Sequence, residues 1–132
     1  MEPSIFTKII NREIPAHIVY EDDKVIAFME IDPITIGHTL VIPKKQVIEL
    51  LDLEDDLYQA VMAVVKQVAH KQKQVYQPTR VGTIVAGFDV PHAHVHVFPL
   101  FHELTPTLKE KWARTTNPSN EELAHEAERI RL

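Results

Sequence analysis

Three histidines at alternate positions, His92, His94 and His96, stand in the run P-H-A-H-V-H-V-F-P, and they belong to a set of eight in 132 residues. In a strand, side chains two apart share a face and lie about 6.6 Å from one another along the chain. The three imidazoles then line one side, while Ala93, Val95 and Val97 face a core on the other. Adjacent imidazoles repel when charged, so such a row must hold neutral rings or an anion. Three chemistries are open. A solvated polar face is the plainest, although Thr or Lys would serve a strand better. A metal site is the second, with His38 or His102 completing the ligands, but the row contains no carboxylate and no evident acceptor to orient the rings. The third is phosphoryl transfer: one neutral imidazole attacks phosphorus while its neighbours hydrogen-bond the phosphate oxygens and the leaving group.

The rest of the chain must position that row. The apolar fraction of 45% and charged fraction of 25% suit a globular domain and exclude a disordered regulator. Without cysteine, the chain has no disulfides, thiolate metal sites or thiol nucleophile. A net charge of −5 argues against a nucleic-acid footprint, though not against a small phosphorylated ligand. No apolar run approaches the roughly 18 residues of a membrane span. The start, MEPSIFTK, lacks a basic end and an apolar core, so a cytoplasmic domain without membrane partners is expected.

Ser4 can cap a short helix by accepting from the Thr7 N–H, with Ile5, Phe6, Ile9 and Ile10 on one face. Strands are expected at Ala16–Glu21, Lys24–Ile31 and His38–Pro43. Leu53, Leu57, Val61, Val64, Val65, Val68 and Val75 then recur at helical spacing, which predicts an amphipathic helix from about Glu54 to Tyr76 with Asp52 as its cap. Strands at Arg80–Ala86 and Pro91–Pro99 follow. A capping box at Ser119-Asn120-Glu121-Glu122 opens a terminal helix over Asn120–Arg131. Strands bunched around one long helix predict an α+β fold with an antiparallel sheet of about five strands.

The segment H-A-H-V-H-V at 92–97 resembles the motif of the histidine-triad (HIT) nucleotide hydrolases and transferases. IFTKIINREIPAHIVYEDDKVIAFMEI at 5–31 and GHTLVIPKKQV at 37–47 are similar to that family's opening strands in order and spacing. The likeness runs from Ser4 to Phe101, with a HIT domain expected at 1–105 and an extension at 106–132. It is strongest to the purine nucleoside phosphoramidases called HINT proteins. The resemblance implies that His94 is the nucleophile, taking a nucleoside monophosphate onto nitrogen, and that His96 donates to the phosphate. His92 and His38 would support and orient the site, with no metal and no cofactor. Water or another acceptor would then take the nucleotidyl group.

The same likeness implies a nucleotide pocket walled by Ile5, Phe6 and Ile9 on one side and Phe28 and Ile31 on the other. Apolar residues at these spacings are equally what a core requires. Glu30 stands where the family places an acidic residue on the ribose hydroxyls; a solvated charge at a strand end is the competing account. The loop before the triad departs from the family. Ala86 replaces a common Asn, the loop is short, and Asp89 falls where a phosphate-contacting hydroxyl is usual. Gly87 still permits close backbone approach, and Asp89 would need to be turned away, protonated, or bonded to His92 or His96. His17, His70 and His125 are expected at the surface, and His102 has some claim to lie near the site. Trp112 and the segment after Leu104 fall where family members differ. The leading expectation is hydrolysis of a phosphoramidate of a purine nucleoside 5′-monophosphate by a homodimer paired through the long helix and a sheet edge. Two alternatives stay open: a dinucleoside polyphosphate hydrolase, and a nucleotide-binding or scaffolding protein with little turnover.

Overall fold

The computed structural model describes residues 1–102 and 117–132. A six-residue helix α1 (Ile5–Ile10) precedes strands β1 (Ile18–Glu21), β2 (Val25–Met29) and β3 (Thr39–Pro43). The long helix α2 (Asp55–Tyr76), strands β4 (Arg80–Ile84) and β5 (Val95–Leu100), and the terminal helix α3 (Asn120–Ile130) follow. The five strands form one antiparallel sheet in the order β1-β2-β3-β5-β4. This is the expected α+β architecture. Trp112 and the 105/106 boundary lie outside the described residues.

Both faces of the sheet are covered, so its central strands are apolar runs rather than alternating ones. On one face Val25, Ala27, Val41, Val95 and Val97 meet Val61, Val64, Val65 and Val68 of α2 and Leu123, Ala127 and Ile130 of α3. The apolar stripe of α2 is therefore spent on its own sheet, while Leu57, Tyr58, Met62 and Val75 stay partly exposed. On the other face Ile26, Phe28, Leu40 and Ile42 pack under Phe6 and Ile9 of α1. Of the predicted α1 face, Ile5 turns outward and is 49% exposed.

Two local expectations need correction. Asp52 does not cap α2: it ends a 3-10 turn, Leu50–Asp52, and Glu54 takes the cap position without a side-chain bond. The last strand begins at Val95, not Pro91. Pro91 has no N–H to give a ladder, and Ala93 N–H instead donates to the Val47 carbonyl at 2.7 Å.

Gln72 interrupts the α2 stripe and is fully buried. Its Nε2 donates to the carbonyls of Gly37 at 2.9 Å and Val97 at 3.1 Å, so it stitches the helix to the β3 and β5 strands. Gly37, with φ of +82°, lies under Tyr76: an added Cβ would sit 2.3 Å from that ring. Tyr76 in turn donates its hydroxyl proton to Glu126 of α3 at 2.8 Å.

Candidate active site

Register places His96 in a row with the proposed base wall. Phe28 pairs with Leu40, Leu40 with His96, and His96 with Ile84 across β2, β3, β5 and β4. Phe6 of α1 closes over this row, 5.5 Å from the Phe28 ring and 5.1 Å from the His94 ring, both edge-on. The histidine face is thus distinct from the α2 core, as the alternation requires. It is not presented to solvent, however: His38 and His92 are wholly buried, and His94 and His96 are 6% exposed. The helix that covers them could not be inferred from a strand pattern.

Hydrogen bonds with unambiguous ends assign the protons. The Ile34 N–H donates to His38 Nδ1 at 3.0 Å, so the His38 proton sits on Nε2. That Nε2–H donates to His96 Nδ1 at 2.9 Å, which puts the His96 proton on Nε2. His94 Nδ1 faces the His92 carbonyl at 2.7 Å and must carry the proton there, leaving Nε2 with its lone pair. His92 donates from Nε2 to the Pro43 carbonyl at 2.8 Å and accepts from Ser4 Oγ at Nδ1 at 2.8 Å. The His94 and His96 rings stand 5.0 Å apart, one an acceptor at Nε2 and the other a donor at Nε2.

Burial keeps His38, His92 and His96 neutral. It pulls His38 down to about 3, aided by His96, and His96 down to about 4, aided by His94. His92 is also lowered by burial, partly offset by its bond to Pro43. Desolvation keeps His38, His92 and His96 from charging beside one another.

Glu30 follows β2 and is half-buried, with its Oε1 accepting from the Asp32 N–H at 3.2 Å. Burial raises its carboxyl above the usual range. Ligand atoms of Glu30, His38 and His96 lie within 4.8 Å of one another, so a carboxylate does stand beside the row. The set is nevertheless poorly arranged for a cation. The Ile34 N–H holds the proton on His38 Nε2, and a metal at that nitrogen would require breaking this bond or forming an imidazolate.

The remaining predicted residues divide. Phe6, Ile9 and Phe28 are brought together under α1, whereas Ile5 and Ile31 are exposed, Ile31 by 66%. Gly87 has a φ of +76° and open space where a side chain would be. With Ile48, Leu51, Val85, Phe88 and His94 it lines a cleft of about 270 Å³. Asp89 is exposed, and both ring nitrogens of His92 are taken by Ser4 and Pro43, so it is not the partner of that ring. His102 bonds Thr79 at the far end of β5 rather than joining the triad. His70 and His125 are exposed, and His17 faces Asn120 at 3.4 Å. Sequence reasoning missed Ser4 as more than a helix cap, and it passed over Thr7, Gln46 and the carbonyl of Pro43. Only the Ser4–Thr7 cap pairing left a local signal.

The family model of the HIT domain matches residues 11–103. The chain belongs to the HIT family. Relatives agree along most of their length. A HIT-like protein of Borreliella burgdorferi, itself uncharacterised, is 42% identical over 108 residues, 76% of this chain and 78% of that one. Among solved structures, a Hit-like protein involved in cell-cycle regulation from Bartonella henselae superposes with a TM-score of 0.83 at 34% identity. That match covers 97% of this chain and 94% of the other. A hypothetical histidine triad nucleotide-binding protein of Sulfolobus tokodaii gives 0.83 at 30% identity, covering 96% and 89%. The HIT family consists in general of nucleotide-binding hydrolases and transferases, and this HIT domain carries the motif's three histidines at 92, 94 and 96. Among its described residues no helix is long and apolar enough to cross a membrane.

Proposed function

We propose that this HIT protein hydrolyses phosphoramidates of purine nucleoside 5′-monophosphates through a covalent intermediate on His94. The observation that carries the reading is the proton arrangement: a lone pair on His94 Nε2 beside a proton on His96 Nε2. His94 Nε2 attacks phosphorus, a P–N bond to His94 forms, and the P–N bond to the leaving amine breaks. The amine leaves with a proton taken up from solvent while the His96 Nε2–H hydrogen-bonds its nitrogen, so His96 stays neutral. The His94 ring becomes cationic, and its Nδ1–H bond to the His92 carbonyl stabilises that charge. In the second half, water attacks phosphorus and releases its proton to solvent, and the electron pair of the P–N bond returns to His94. The base lies against Phe6, Ile9 and Phe28 with Ile5 and Ile31 at the rim, Glu30 accepts from the ribose hydroxyls, and the Gly87 backbone lies against the phosphate.

The cleft beside His94 favours an amine over a second nucleotide. Among the described residues its lining includes Glu49 and no Lys or Arg, a poor setting for the negative charge of a polyphosphate chain. The half-exposed edge of β4 is where a second copy would pair.

Adenosine 5′-phosphoramidate and a diadenosine polyphosphate, each mixed with wild type and His94→Ala, test the reading. We expect turnover of the first substrate by wild type and an AMP mass adduct trapped by alkaline quench. His94→Ala should lose both while AMP still raises its melting temperature. Equal rates in wild type and variant would remove His94 as nucleophile. AMP binding by wild type without turnover of either substrate would leave a binding protein instead.

A further inference from the structure

Gln46 saturates its amide on both sides of the site. Its Oε1 accepts from the Ser4 N–H at 2.9 Å and from the Thr7 hydroxyl at 2.8 Å. Its Nε2 donates to the carbonyls of Glu2 at 3.0 Å and Pro91 at 3.4 Å. One side chain therefore grips the N-terminal end of α1 and the residue immediately before His92. Thr7 spends its hydroxyl proton on Gln46, so the Ser4 hydroxyl proton goes to His92 Nδ1, the shorter of the two contacts Ser4 Oγ makes with a side-chain acceptor, at 2.8 Å against 3.3 Å to Thr7. Ser4 is itself buried, and its Oγ also accepts from the Thr7 N–H at 3.0 Å.

We infer that Gln46, Ser4 and Thr7 are positioning residues that fix the tautomer of His92 and, through its backbone carbonyl, hold His94 Nδ1–H so that Nε2 keeps the attacking lone pair. This rests on the assignment of His94 as nucleophile and extends it to residues that do not touch the substrate. The proton count supports it. With Pro43 accepting at Nε2, His92 needs a donor at Nδ1, and Ser4 supplies it. The carbonyl that meets His94 belongs to a segment anchored at four points: the two ring nitrogens of His92, the Pro91 carbonyl on Gln46, and Ala93 N–H on the Val47 carbonyl. The same clamp sets α1, whose Phe6 ring lies against His94 and His92. Nucleophile and base wall thus share one set of hydrogen bonds. A nucleophile displaced by about 1 Å loses about a hundredfold in rate, so a partial release should cost about tenfold.

The test uses the full chain with Ser4→Ala, Ser4→Thr and Gln46→Met. The rings are followed by 15N spectroscopy without substrate, and kcat and KM are measured with adenosine 5′-phosphoramidate. Ser4→Ala and Gln46→Met should lower kcat about tenfold with KM changed less than about threefold, and should move the His92 and His94 ring-nitrogen signals. Ser4→Thr, which restores a hydroxyl, should recover most of the rate. Should Ser4→Ala fail to fold, Gln46→Met carries the test, because it keeps the Ser4 hydroxyl and the side-chain volume. Unchanged ring-nitrogen signals in both variants, or kcat within twofold of wild type, would overturn the inference. The spectra need no turnover. A wild type that does not cleave the phosphoramidate refutes the functional reading separately from the positioning one.

Discussion

The buried pair His38–His96 predicts a loss of stability in mild acid. Each ring has an ordinary value of 6.5, but burial holds His38 at about 3 and His96 at about 4. Above pH 6.5 folded and unfolded chains carry both rings neutral, and the pair contributes no pH dependence. As the pH falls below 6.5 the unfolded chain takes up two protons that the folded chain refuses until about pH 4, so stability falls. Each ring costs about 1.4 kcal/mol per pH unit in that window, or about 2 kcal/mol at pH 5 and about 4 kcal/mol for the two. Against a total of about 5–15 kcal/mol this is a large share. Urea denaturation followed by circular dichroism should show the midpoint dropping by about 2 M between pH 7 and pH 5, for a slope of about 2 kcal/mol per M. His38→Asn, which takes up no proton there, should show about half the drop. Glu30 works in the opposite sense: its raised carboxyl is protonated first in the folded chain and adds stability as the pH falls, so Glu30→Gln should steepen the loss. A wild-type midpoint as high at pH 5 as at pH 7 would refute the neutral relay.

Three further outcomes follow from the site and its support. Gly37→Ala places a Cβ 2.3 Å from the Tyr76 ring at a φ of +82°, and calorimetry should show a loss of at least about 2 kcal/mol, several degrees in Tm. Glu30→Gln should weaken binding of AMP more than of a 2′,3′-dideoxy analogue by calorimetric titration; equal losses would separate Glu30 from the ribose. Asp89→Asn should leave the pH–rate profile unchanged, because the exposed carboxylate is not what holds His92.

Elements were legible where their determinants are local. Ser4 accepting from Thr7 and the reciprocal Ser119–Glu122 box are contacts over three residues, and both helices begin where those bonds place them. The period of α2 showed its length, but not the burial of Gln72, whose partners Gly37 and Val97 lie 35 and 25 residues away. Likewise, a row of histidines shows a shared face without showing what covers it. His38 meets His96 across 58 residues and Ser4 meets His92 across 88, so the proton arrangement is a product of the sheet order. The start of β5 is not legible locally, because the pattern runs continuously from Pro91 while residues 46–47 hold the segment before Val95.

Six residues are too few for α1 to persist as a helix in water. It exists because Phe6 and Ile9 are sequestered beneath it and because Gln46 secures its first turn. It is therefore among the segments expected to open before the global transition. A nucleotide resting on Phe6 would suppress that opening, and amide exchange at residues 4–11 should slow more on adding AMP than exchange in the β2–β3 ladder. Ligand affinity in this protein would then include the closing of its own lid-like first turn, set by how firmly a single glutamine keeps it shut.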